Sequence, residues 1–362
     1  FTLYVSSGII AGGKSFESFF GLDFKFGAIF TLAIVVFYTF FGGFRAVCIT
    51  DAFQGTLMFL VLVAVPIVAF CNLNLPDGAT FWSEVAKYGK SHLNVFYGQT
   101  FLSILGLMAW GLGYFGQPHI IVRFMAIRSS KELAQARRIG IGWMAIGLAG
   151  AMMSGLIGFV YYSELNLPLA DPEKVFLQLG ETLFHPFFVG IIISAVLSAI
   201  MSTISSQLLV SASSVTQDFV FAFYKKEISQ KAQVAAGRYA VVAVALVATA
   251  LAFSFNESVL NVVGYAWAGF GASFGPVLLF SLYWRRMSAL AALLGMITGG
   301  ATVIAWIVLG LNSYVYEILP GFAVSCIVIY LTSLYGDAID KMSNEPNSAT
   351  VQDEFEKMKT RL

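Results

Sequence analysis

The residues best suited to chemistry in this chain are hydroxyls set in an apolar stretch. From Ala195 to Gln207 the sequence reads AVLSAIMSTISSQ, within a run from Val189 to Gln217 that has no charged residue. Ser198, Ser202, Thr203, Ser205 and Ser206 all fall in it. On a helix, Ala199, Ser202 and Thr203 stand at i, i+3 and i+4 and share one face. A backbone carbonyl and two hydroxyls are hard oxygen donors, which suit a small hard cation. Hydroxyls at membrane depth also ease close helix packing or bond back to their own helix, and both readings stand here. Ser202, Ser205 and Ser206 form a second i, i+3, i+4 face, which Asp51 is able to meet. Asp51 itself reads either as the N-cap of an apolar helix or as a carboxylate near the exit of a cation.

A second stretch with chemical content is SILGLMAWGLGYFGQPHIIVRF, residues 103–124. Gly106, Gly111, Gly113, Gly116 and Pro118 weaken a helix in its middle, at about 1 kcal/mol per Gly and about 3 kcal/mol for Pro. Interrupted helices survive at membrane depth where they line a cavity, and their freed N–H and C=O groups bind carboxylates or cations. Trp110 and Tyr114 lie at i, i+4 and are placed to face such a cavity, with Gln117 adding an amide. A Gly-rich packing face with aromatics in an interfacial belt is the alternative. Residues 261–280, NVVGYAWAGFGASFGPVLLF, repeat the theme. There, small-residue packing explains most of the glycines, and Tyr265, Trp267 and Phe270 are candidates for gate side chains.

The elements that must position these residues are membrane spans. Of 362 residues, 58% are hydrophobic and 11% charged, where a soluble domain carries about 25% charge. Ten apolar segments follow at about 20 residues per span: 1–20, 24–44, 50–72, 100–125, 139–162, 186–216, 234–254, 258–283, 287–310 and 315–335. Connections 73–99 and 163–185 read as short amphipathic helices, and 336–362 as a polar tail forming a short helix or a disordered end. If Arg45 faces the cytoplasm, sixteen Lys and Arg gather on that side against five opposite, which places the C-terminus in the cytoplasm. No basic tract serves nucleic acid. Cys48, Cys71 and Cys326 have no CxxC spacing and read as buried small hydrophobes, and three scattered histidines exclude a clustered zinc or haem site. No nucleophile–base pair is visible, so no covalent chemistry is expected.

With these residues assembled, the chain resembles the sodium/solute symporter family, most closely its sodium/proline branch. The matching stretches are SGIIAGGKSFESFFGL, GGFRAVCITDAFQGTLM, LMAWGLGYFGQPHIIVRFMA, LSAIMSTISSQLLVSASSVTQD and VGYAWAGFGASFGPVLLFS. The resemblance implies an all-α membrane protein with the leucine-transporter type of inverted-repeat helical bundle. Residues 1–283 would be a partial core (core helices three to ten), 284–335 two peripheral spans and 336–362 a cytoplasmic tail. It implies a sodium site from the Ala199 carbonyl with Ser202 and Thr203. It implies a substrate site from Trp110, Tyr114, Gln117 and Pro118, joined by Tyr4. A second sodium site by position would use Asp51, Ser202, Ser205 and Ser206. The implied activity is secondary symport of sodium and L-proline across a bacterial inner membrane, with sodium as coupling ion and no other cofactor. Other solutes, such as pantothenate or another amino acid, and a symporter-like sensory domain are the alternatives. The chain begins inside an apolar helix without an initiator Met, and the resemblance implies that core helices one and two precede Phe1. The first of those would complete the sodium and substrate shells.

Overall fold

The computed structural model describes residues 1–87, 94, 96–165, 172–223, 229–254 and 258–343, with the backbone alone at Glu173, Ala222 and 336–343. The expected tail structure over 344–362, and the basic residues Lys90, Lys225 and Lys226 and His92, lie outside the described residues. In chain order the helices are α1 (Thr2–Phe20), α2 (Phe24–Cys71), α3 (Phe81–Lys87), α4 (Phe101–Ala109) and α5 (Pro118–Met125). They continue with α6 (Leu133–Glu164), α7 (Val175–Leu183), α8 (Pro186–Ser213), the single turn α9 (Phe221–Phe223) and α10 (Gln230–Ser254). The last are α11 (Val259–Tyr283), α12 (Ala289–Val308) and α13 (Ile318–Ser343). A 3-10 stretch, Trp110–Gly116, joins α4 to the approach of α5, and a π-helical stretch, Ser214–Val220, extends α8.

Seven of the described helices are long and apolar enough to cross a membrane. One of them, α2, has 48 residues, about 70 Å at 1.5 Å per residue, twice what a bilayer core needs. It is divided at Gly43, whose φ of 58° and ψ of −159° are non-helical. A residue with a Cβ adopts that conformation only at a steric cost. The two spans read as 24–44 and 50–72 are therefore two helices that meet at the Gly43 kink, with residues 45–49 already helical. Together with α1 and the interrupted segment 101–125, these account for the ten apolar segments. The polar connections hold α3 and α7, the short helices expected there.

The helix ends follow local chemistry. Asp23 caps α2, accepting from the backbone N–H groups of Lys25 and Phe26 at 2.9 and 3.1 Å, which satisfies donors a helix start leaves free. Thr100 does the same for α4 through Ser103 N–H at 3.1 Å. Pro118 and Pro186 occupy first-turn positions of α5 and α8, where a missing N–H costs nothing.

The chain forms two compact units, one of residues 1–97 and 127–259, the other of 98–126 and 260–362. In the first, α1 lies against α2, α8 and α10, and α2 against α8 and α6. Its buried residues include Val5, Ile9, Val35, Ile204 and Leu208. Gly8 lets α1 approach α8 so closely that a Cβ there would meet Ile204 Cγ1 at 2.5 Å. In the second, α12 packs along α13, and α13 against the interrupted segment. The cysteines are less buried than expected. Cys71, at the end of α2, is exposed and free, and Cys48 and Cys326 are half-buried. Cys71 ends its helix where the polar connection begins.

Candidate functional site

In the first unit the hydroxyls of α8 converge on backbone carbonyls. Ser202 Oγ donates to Ala199 O at 3.1 Å, and Thr203 Oγ1 donates to the same oxygen at 3.0 Å. The back-bonding geometry is thus realised, and it brings the three expected oxygens into one cluster. A hydroxyl that gives its proton to a carbonyl keeps its oxygen lone pairs, so each remains a donor toward a cation. All three residues are half-buried.

One turn further along, Ser205 Oγ and Ser206 Oγ donate to Ser202 O at 3.0 and 2.8 Å. Ser206 Oγ also lies 3.3 Å from Asp51 Oδ2. Asp51 is therefore no N-cap: it sits inside α2, two turns past the Gly43 kink. The helix resumes directly after Gly43 and so carries the carboxylate to mid-helix, facing α8. Tyr38, on the first half of α2, donates its hydroxyl to Met201 O at 3.0 Å. Ser205, Gln54 and Asp51 all bear on the same phenol. Sequence reasoning passed over Tyr38 and Gln54. Tyr38 stands 163 residues from its partner, and no spacing rule joins them.

In the second unit the interruption lies within the expected stretch. The α-helix ends at Ala109, the chain runs as a 3-10 helix to Gly116, and Gln117 is extended with φ −92° and ψ 103° before α5 starts at Pro118. The glycines permit this, and they also admit a neighbour. A Cβ at Gly113 would fall 1.8 Å from Trp267 Nε1, and one at Gly116 would fall 2.2 Å from Phe270 O. Trp267 of α11 thus lies across the break, its Nε1–H donating to Trp110 O at 2.9 Å. Trp110 is stacked between Trp267 and Tyr316, with centroids at 5.8 and 5.5 Å. Tyr114 meets Trp267 edge-on at 4.9 Å.

Tyr316 anchors itself through its hydroxyl, which donates to Gly264 O at 2.9 Å. Gln117 is fully buried, its Nε2 donating to Trp267 O at 3.5 Å. Among the described residues its Oε1 meets no partner. Trp110 is half-buried and Tyr114 is 43% exposed. Trp267, read from the sequence as a gate candidate beside a packing explanation, belongs to this cluster. Tyr316 was missed altogether. Tyr4 lies buried on α1, in the first unit.

An interrupted helix and an uncharged, hydroxyl-lined helix among apolar spans are the pattern of an ion-coupled transporter. The sodium:solute symporter family profile matches residues 1–299, and the chain belongs to that family. It is 51% identical over 338 residues to the high-affinity proline transporter PutP of Bacillus subtilis (strain 168), covering 93% of this chain and 71% of that protein. It is 49% identical over 343 residues to the sodium/proline symporter of Staphylococcus aureus, covering 92% of this chain and 66% of that one. Among solved structures it resembles a substrate-bound, outward-open Na+-coupled sialic acid symporter, with TM-score 0.72 and 18% identity. That match covers 92% of this chain and 72% of the other. The fold is accordingly the leucine-transporter-type helical bundle expected from the sequence, in an integral, multi-pass membrane protein.

Proposed function

We propose that the protein imports L-proline together with sodium across a bacterial plasma membrane, with its C-terminus in the cytoplasm. The observation that carries this reading is the 51% identity to a proline transporter, sustained over 93% of the chain. The orientation rests on the sixteen-to-five distribution of Lys and Arg.

In this reading sodium sits on α8 against the Ala199 carbonyl and the hydroxyls of Ser202 and Thr203. A second cation position uses Asp51, Ser202, Ser205 and Ser206. Proline carries a carboxylate, a secondary ammonium and an apolar ring. The opened backbone around Gln117 and Pro118 offers polar partners to its charged ends, while Tyr114, 43% exposed, and the edge of Trp110 outside its stack cover the ring, with the Tyr114 face attracting the cation. Sodium and proline each raise the other's affinity by the same factor, since coupling is reciprocal. A membrane potential adds about 2.3 kcal/mol per charge for each 100 mV.

The test is uptake of labelled proline into proteoliposomes under an inward sodium gradient, with a panel of unlabelled solutes as competitors. Uptake that collapses when potassium replaces sodium, and that excess proline alone suppresses, supports the reading. Suppression by pantothenate or by another amino acid in preference to proline overturns the substrate assignment.

A further inference from the structure

A cavity of about 540 Å³ opens in the first unit beneath the hydroxyl stretch, where the kink of α2, the end of α8 and the start of α10 meet. Among the described residues that line it, Arg238 is the one charged side chain and none is a carboxylate. The guanidinium is fixed in place. Arg238 Nε donates to Phe40 O at 2.9 Å, and the guanidinium carbon lies 5.3 Å from the Phe40 ring and 6.0 Å from that of Phe41. Arginine has five N–H donors in a rigid fork, so four remain beyond the Nε–H.

A second observation points to a ligand. Thr39 lines the same cavity and is 2% exposed, yet among the described residues its hydroxyl meets no hydrogen-bonding partner. Buried hydroxyls are nearly always bonded, and an orphan calls for an absent partner. A third concerns the backbone. The π-helical stretch Ser214–Val220 brings Thr216 and Gln217 to the wall, and π-helical turns recur at functional sites.

A fixed cation with hydroxyl and amide neighbours, and with no acid among the described lining residues, selects an anion and repels the coupling sodium ion. The rim decides which anion. Phe41 is 63% exposed and Val234 is 54% exposed, both on membrane-spanning helices that flank the opening. A soluble ion makes no use of that apolar rim, whereas an acyl chain does.

We propose that this cavity binds the phosphate of an anionic phospholipid headgroup, held by the Arg238 fork with Thr39 as hydroxyl partner and with the acyl chain along Phe41 and Val234. Basic pockets between membrane helices hold such headgroups by charge and donor geometry.

The probe is phosphatidylglycerol, titrated onto the detergent-purified protein and read by native mass spectrometry and thermal denaturation. Phosphatidylcholine and inorganic phosphate serve as the comparison arms. Phosphatidylglycerol is expected to bind and raise the melting temperature, with phosphatidylcholine and phosphate ineffective. Arg238→Gln is expected to weaken phosphatidylglycerol binding about tenfold, the scale of a lost charge-assisted contact.

Arg238 also holds the α2 kink, so Thr39→Val provides a variant that leaves that contact intact. Removing an orphan buried hydroxyl does not cost stability, so a several-fold loss of phosphatidylglycerol binding with an unchanged lipid-free melting temperature supports the site. Equal binding by wild type and Thr39→Val overturns it, as does equal stabilisation by phosphatidylcholine. Protection by inorganic phosphate matching that by phosphatidylglycerol overturns the lipid assignment.

Discussion

The indole N–H of Trp267 donates to the carbonyl of Trp110 at 2.9 Å, and the two rings are stacked 14° from parallel. The carbonyl belongs to the first residue after the α-helix gives way to 3-10 geometry. Such turns leave carbonyls in poorer hydrogen-bond geometry, and an outside donor steadies the break in one conformation. The same indole braces Tyr114 edge-on and takes the space a side chain at position 113 would need. Trp267 is therefore a positioning residue for the proposed proline pocket.

Replacing Trp267 with Phe keeps a ring and deletes the N–H donor. A buried hydrogen bond contributes about 0.5–1.5 kcal/mol, so the KM for proline should rise about three- to tenfold while the sodium requirement stays near wild type. Proline uptake measured across a sodium series checks this. An unchanged KM would show that the break is held without the indole.

Ser202→Ala and Thr203→Ala act on the other half of coupling. Each removes one hard oxygen from the cluster around Ala199 O. The sodium concentration for half-maximal uptake should rise about tenfold, and far more than it does in Trp110→Ala. Trp110→Ala and substitutions of Tyr114 should chiefly weaken proline binding. Equal sodium dependence in Ser202→Ala, Thr203→Ala and Trp110→Ala would remove the ion-site assignment.

The hydroxyl stripe and the interrupted segment were legible in the sequence because both are local. Helical periodicity places Ser202, Ser205 and Ser206 on one face, and glycine and proline propensities mark where a helix fails. Asp51 was legible as a residue of interest but not as a mid-helix carboxylate. A Gly-Gly pair signals a bend without saying that a helix resumes at once on its far side. Tyr38, Trp267 and Tyr316 are set by tertiary proximity. Trp267 reaches Trp110 across 157 residues, a distance at which no periodicity carries information. The cavity around Arg238 was invisible for the same reason, since its arginine and its orphan threonine lie on helices far apart in the chain.

Two neighbouring glycines separate packing from flexibility. A Cβ at Gly116 would meet the backbone of Phe270 and Gly271 at 2.2 and 2.7 Å, whereas one at Gly111 has nothing within 4 Å. Backbone cannot swing aside as a flexible side chain can. Gly116→Ala should destabilise by about 1–3 kcal/mol, the usual cost of overpacking, with a lower melting temperature. Gly111→Ala should leave it near wild type. Comparable melting temperatures for the two variants would mean that α11 does not pack so tightly on the break.

The Asp51–Ser206 contact at 3.3 Å distinguishes an ion site from a helix clamp. A carboxylate beside the Ser206 hydroxyl, which itself shares the Ser202 carbonyl with Ser205, adds to a set of hard donors suited to a cation, and the same contact is also a plain tie between α2 and α8. Asp51→Asn keeps the size and a hydrogen-bonding group but removes the charge, so a clamp would largely survive it. For a cation position, the half-maximal sodium concentration should rise about tenfold in Asp51→Asn and less in Ser206→Ala. The double variant should be little worse than Asp51→Asn alone, because residues serving one ion are not additive. Sodium-titrated uptake on all three variants, alongside their melting temperatures, gives the answer. A fall in melting temperature with unaltered sodium dependence would reduce the pair to a packing contact and leave α8 with a single cation position, at Ala199, Ser202 and Thr203.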